Sequence, residues 1–172
     1  MIVLAIDPGP TQSGWVHYDQ FDGLLSFGID KNGWIESSLL HDKQWAVVDR
    51  VVIEMVASYG MPVGRDVFET CVQVGRFERC AELGGVEYER MFRAAVKLNL
   101  CNSARAKDSN IRMALIDRFG GKGRAIGVKK DQGPLYGVKS HIWAALSRSH
   151  TLMRIREHSS GLDTASAAHA RT

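Results

Sequence analysis

Two carboxylates stand where a carboxylate can do chemistry. Asp7 closes the short apolar run of residues 2–6 and leads into Pro8-Gly9. Glu54 closes a second apolar run, residues 51–53. If both runs are neighbouring parallel strands, the carboxylates lie side by side past the strand ends, where open α/β sheets bind ligands. Like charges held a few ångströms apart call for a cation or a raised pKa. Hard oxygen donors suit Mg²⁺ or Mn²⁺, and a pair of such ions roughly 3.5–4 Å apart is one route to in-line attack on a phosphodiester. Taken singly, each residue also has a plainer reading. Asp before Pro-Gly is ordinary turn chemistry, and a Glu after a strand is often a solvated end.

Charge points toward a polyanion. Residues 1–89 carry 6 Lys and Arg against 14 Asp and Glu, whereas residues 90–172 carry 16 against 5. Asymmetry of this kind between halves suggests nucleic acid, although two solvated faces that offset one another would look the same. The rest of the composition is globular, with 45% hydrophobic and 24% charged residues. No apolar run approaches the roughly 20 residues of a spanning helix, and Asp7 interrupts the first run too early for a signal peptide. A soluble, cytoplasmic protein with no membrane partner is expected. Cys71, Cys80 and Cys101 are an odd number without a CxxC pair, which favours free thiols over a zinc site.

The elements that must position the carboxylates follow from periodicity. Residues 2–6, fully apolar and β-branched, read as a central strand buried on both faces. Residues 14–18 and 23–29 follow after short turns and predict an antiparallel meander. A helix is expected over 37–48, then a buried strand at 51–53 parallel to the first. A loop covers 58–64, a helix 65–83, and a weaker strand 86–92. Further helices are expected over 104–119 and from 138 to about 153, separated by a flexible Gly- and Lys-rich loop at 120–137. The apolar stripe of Val67, Cys71 and Val74 suits either the core or a second copy of the chain. The domain is placed at 1–153 and a flexible tail at 154–172.

Four short motifs in this order resemble RuvC-type Holliday junction resolvases. Ile6-Asp7-Pro8-Gly9 followed by Gly14 is similar to the family's opening, and Val52-Ile53-Glu54 to its second acidic motif. Val96-Lys97, then Ala106-Lys107 and Ile111, resembles its lysine-bearing segment. His141-Ile142-Trp143-Ala144-Ala145-Leu146 stands where its last acidic helix belongs. The details SYGMPVG and GPLYG are closest to phage-encoded members, whose setting would be the host cytoplasm. The resemblance spans roughly residues 1–150. It implies an α/β RNase H-like fold, a five-stranded mixed sheet with three antiparallel strands followed by parallel ones and flanking helices. It also implies a homodimer acting on branched DNA and four-way junctions as a metal-dependent crossover junction endodeoxyribonuclease.

Carried over position by position, the resemblance makes Asp7, Glu54 and His141 metal ligands and catalytic residues, and Lys107 a catalytic residue near the scissile phosphate. Lys97 and Lys107 would face DNA. Arg105, Lys129 and Lys130 are added as DNA contacts on charge alone. One departure is large. The family carries two acidic ligands three residues apart in the last helix, and here His141 and Ala144 occupy those positions. A nitrogen donor shifts preference from Mg²⁺ toward Mn²⁺, and Ala144 offers no donor. Either one ion is held weakly, or Asp131 or Asp108 substitutes, or the chain cuts poorly. Tyr59 and Met61 are candidates for a wedge at a junction centre, and Trp143 for a stacking platform, with loop and core packing as the plainer readings. A non-catalytic binder of branched DNA, and a nuclease acting on RNA–DNA hybrids, remain as rivals. A two-domain ATPase of the actin type is excluded by length.

Overall fold

The computed structural model describes residues 1–42, 45, 47–58, 60 and 62–169, with side chains as far as residue 158. Five strands form one mixed sheet in the order β3-β2-β1-β4-β5. They are β1 (Ile2–Asp7), β2 (Gln12–Asp19), β3 (Gly23–Lys31), β4 (Arg50–Met55) and β5 (Glu87–Phe92). β1, β2 and β3 pair antiparallel, whereas β4 joins β1, and β5 joins β4, in parallel. This is the RNase H-like arrangement the motifs implied. The helices are α1 (Asn32–His41), α2 (Arg65–Leu83), α3 (Arg93–Cys101), α4 (Asp108–Arg118), α5 (Gly121–Ala125) and α6 (His141–His169).

Strand parity divides the molecule into two cores, because successive side chains leave opposite faces of a strand. Leu4, Ile6, Val51 and Ile53 face α1 and α2, where they meet Ile35, Leu39, Val74 and Phe77. Val3, Ala5, Val16 and Val52 face the other way, against Val96, Ile111, Leu115, Ile142 and Leu146 of α3, α4 and α6. Val74 thus belongs to a core, and the stripe Val67/Cys71/Val74 divides, since Val67 and Cys71 stay half-exposed. The two cysteines of α2 and Cys101 are free thiols.

Several boundaries differ from those expected. α1 starts at Asn32, directly after β3, and ends at His41, stopped by the extended backbone of Asp42; Trp45 and Val48 are buried beyond its end. α3 adds a helix where none is expected: it follows β5 without a turn, and its run Ala94-Ala95-Val96-Lys97-Leu98 is rich in helix formers. The segment 120–137 is not simply a loop. It holds α5 and a ribbon of β6 (Gly127–Val128) and β7 (Asp131–Gln132), anchored by fully buried Ala125 and Leu135. α6 continues to His169, past the expected end near Met153. Tyr59 and Met61 lie outside the described residues.

Candidate active site

Asp7 and Glu54 meet because of register. Ile6 pairs with Ile53 across the parallel β1–β4 ladder, so one step on Asp7 comes beside Glu54. Both continue the parity of Ala5 and Val52 and therefore face the α6 side. The turn after Asp7 is locked from behind. The Ser13 hydroxyl donates to Asn32 Oδ1 at 2.7 Å and accepts from the Gly9 backbone N–H at 3.2 Å. Asn32 Nδ2 donates to the Gly9 carbonyl at 2.9 Å. Ser13 and Asn32 are buried, so this network fixes where the β1 carboxylate points.

The N-terminus of α6 supplies the third wall. His141 Nδ1 lies 2.7 Å from Asp7 Oδ2, with the imidazole half-exposed and Asp7 buried. Gly14, opposite Asp7 in the β1–β2 ladder, permits that approach. A Cβ there would fall 2.6 Å from His141 Cβ and 2.8 Å from its carbonyl carbon.

His141, Ala144 and Arg148 follow at i, i+3 and i+7 on one face of α6. Arg148 has a fully buried side chain and lies between the two carboxylates. Its Nη1 is 3.4 Å from Asp7 Oδ1, and its Nη2 contacts Glu54 Oε2. Burial pulls its pKa down to about 10 and Asp7 pushes back, so the guanidinium stays charged at neutral pH. The other Glu54 oxygen, Oε1, faces Arg93 Nη1 at 3.7 Å, and Arg93 also pairs with Asp108.

Asp7, Arg93, Asp108, His141 and Arg148 line a cleft of about 330 Å³ with Val96, Ile111, Arg112 and Trp143, and Glu54 stands behind Arg93 and Arg148. The Arg112 guanidinium sits 4.8 Å over the Trp143 ring, a cation–π contact that holds it at the rim. Trp143 is therefore half-buried cleft wall, neither full core nor a free platform.

Of the residues singled out from sequence, Asp7, Glu54 and His141 come together. Asp108 lines the cleft, whereas Asp131 is exposed on the β6–β7 ribbon. Lys107 precedes α4 and is exposed, its backbone N–H donating to Asn110 Oδ1 at 2.9 Å. Lys97 lines an adjoining groove with Arg93, Ala94 and Ala104. Arg105 is exposed in the α3–α4 turn, and Lys129 and Lys130 in the β6–β7 turn. Sequence reasoning passed over Arg93, Arg112 and Arg148. Nothing in the sequence set Arg148 apart, since its neighbours Ser147, Ser149 and His150 are polar as well.

No family model and no curated protein matches the chain. Solved structures do. Thermus thermophilus RuvC superposes with a TM-score of 0.71 at 19% identity, covering 92% of this chain and 97% of that one. The fold is that of RuvC. T. thermophilus RuvC in complex with Holliday junction substrate superposes with a TM-score of 0.66, again at 19% identity, over 88% of this chain and 92% of that one. The superposition with RuvC runs through nearly the whole of both chains.

A divalent ion does not fit the donors as they stand. Both Asp7 oxygens face His141 and Arg148, and both Glu54 oxygens face arginines. Ala144 supplies nothing, and among the described residues no three His, Cys, Asp or Glu side chains converge on a metal position. The cleft holds Asp7 and Asp108, with Glu54 beside them, against the His141 imidazole and the three guanidiniums of Arg93, Arg112 and Arg148. Such a set can grip a phosphodiester by charge and hydrogen bonding.

Proposed function

We propose that this chain binds branched DNA, four-way junctions first among them, on a RuvC architecture. The observation that carries the reading is the placing of the cleft. The RuvC fold sets it at the ends of β1 and β4, and the basic half of the chain supplies α3, α4 and α6 around it. Arg93, Arg112 and Arg148 line it, and Lys97 continues the positive track in the groove beyond Arg93. Such a surface recognises phosphate spacing and junction shape more than base sequence. Lys107, Arg105, Lys129 and Lys130 are the outer backbone contacts of this reading.

A second reading is that the chain also cuts, as a crossover junction endodeoxyribonuclease dependent on Mg²⁺ or Mn²⁺. It is favoured by the meeting of Asp7, Glu54 and His141 in one cleft. Arg148 and Ala144 weigh against it, and binding is the better supported activity. A homodimer suits a two-fold symmetric junction, and both readings place the protein wherever cellular or phage DNA is exchanged. Among the described residues no helix is long and apolar enough to cross a membrane.

The test is a gel-shift and nicking assay on a labelled four-way junction, a Y-fork, an RNA–DNA hybrid and a plain duplex, each in EDTA, Mg²⁺ and Mn²⁺. Junction binding at least tenfold tighter than duplex binding, with intact strands, is the expected result. Metal-dependent nicks that disappear in Asp7→Asn would establish the second reading. Equal affinity for all four substrates would remove junction recognition.

A further inference from the structure

The carboxylate pair invites a cation, and the cleft already contains one. Two anions held side by side in a buried site either titrate, take up a metal ion or gain a fixed counter-charge. Arg148 sits in that position. It reaches both Asp7 and Glu54 from a single fully buried side chain. It lies two helical turns from His141, on the face of α6 where position 144 carries a methyl group in place of a donor. Position 144 thus offers no donor to an ion, and position 148 on the same helix face offers a cation. Arg93 closes the other side of Glu54.

We infer that the Arg148 guanidinium is the resident cation of this cleft, standing in for a divalent ion between Asp7 and Glu54, so that the site engages a DNA phosphate without metal. The inference rests on the reading of the cleft as a DNA site. A guanidinium is permanent, planar and rich in donors. The Arg148 side chain is fully buried between Asp7 and Glu54, so it sets the charge of the cleft, while part-exposed Arg93 and exposed Arg112 in the lining are the groups a phosphate oxygen can reach. The positive charge that a metal-dependent protein must recruit from solution is here part of the chain.

The full-length chain is titrated with MnCl₂, following free Mn²⁺ by electron paramagnetic resonance, as wild type, Arg148→Lys and Arg148→Met. Wild type and Arg148→Lys are expected to take up no stoichiometric ion below about millimolar Mn²⁺. Arg148→Met, which keeps bulk and loses charge, should bind one ion at least tenfold more tightly, and Asp7→Asn added to it should abolish that binding. A wild-type protein that binds Mn²⁺ tightly through Asp7 overturns the inference whether or not the variants fold. So does a folded Arg148→Met that binds no better than wild type. Junction affinity of the same wild-type sample should agree within twofold between EDTA and Mg²⁺, and a tenfold loss in EDTA also overturns it. Should wild type bind no junction under any condition while the Mn²⁺ results come out as expected, the functional reading fails and the place of Arg148 as resident cation stands.

Discussion

At the residue scale the cleft is a balance of buried charges, and each member depends on the others. Removing one partner of a buried ion pair strands its opposite, at a cost typically of about 3–5 kcal/mol. Arg148→Met leaves Asp7 and Glu54 facing each other and should lose stability on that order, read from urea denaturation at pH 7. Asp7→Asn leaves Glu54 to hold Arg148 and should lose less. Gly14→Ala adds one methyl group where His141 Cβ already stands 2.6 Å from the ideal position. Overpacking of that kind costs about 1–3 kcal/mol and should weaken junction binding by displacing the start of α6. Gly33→Ala, which meets nothing within 4 Å at the start of α1, is the matched control and should change stability by less than about 1 kcal/mol. Asp7 and Glu54 were legible because each ends an apolar run, and His141 through the motif order. Arg148 was not, since a basic residue in a basic half looks like surface until the fold buries it.

At the scale of elements, the strands were easier to read than the helices. Residues 2–6 and 51–53 are apolar without interruption because both faces of the sheet are covered, and an amphipathic helix or a half-exposed strand would have interleaved polar residues. α1, α4 and α6 have weak amphipathic patterning, and the ribbon of β6 and β7 is hidden by its lysine- and glycine-rich sequence. That ribbon carries Lys129 and Lys130 exposed at its turn. If it lies on DNA, charge reversal of both should flatten the dependence of log K on log salt by roughly 0.9 for each duplex phosphate the ribbon no longer neutralises. A slope unchanged from wild type takes the ribbon off the DNA surface. On the opposite layer, α2 presents Phe68 and Val72 one helical turn apart, 61% and 65% exposed. A second copy covering them would make the expected dimer. Phe68→Glu should then halve the mass seen by light scattering, and a monomeric wild type would assign that face elsewhere.

For the whole molecule, the sheet gives two cores, and pH acts on one of them through His150. Its ring is packed between Tyr18 and Phe119, with centroids 4.9 and 5.2 Å away. Burial, with Arg118 and Arg154 nearby, lowers its pKa from 6.5 to about 4. The unfolded chain binds the proton more readily than the folded one, so stability is fully present above about pH 6.5 and falls as pH drops toward 4. The loss should reach on the order of 3 kcal/mol, and His150→Phe should flatten that part of the profile in denaturation curves taken between pH 7 and 4.5. The sheet also sorts the chain by sequence order. The acidic first half supplies α1 and α2 to one face, and the basic second half supplies α3 to α6 to the other. A body charged in this way is an electric dipole whose positive pole carries the cleft. If DNA is the partner, as proposed, the field of a duplex would exert a torque on it before any contact forms, so that most encounters would arrive already facing the right way. On the proposed reading that orientation belongs to the association rate and fades with ionic strength as the screening length shrinks, while the arginines of the cleft would govern how long the complex lasts.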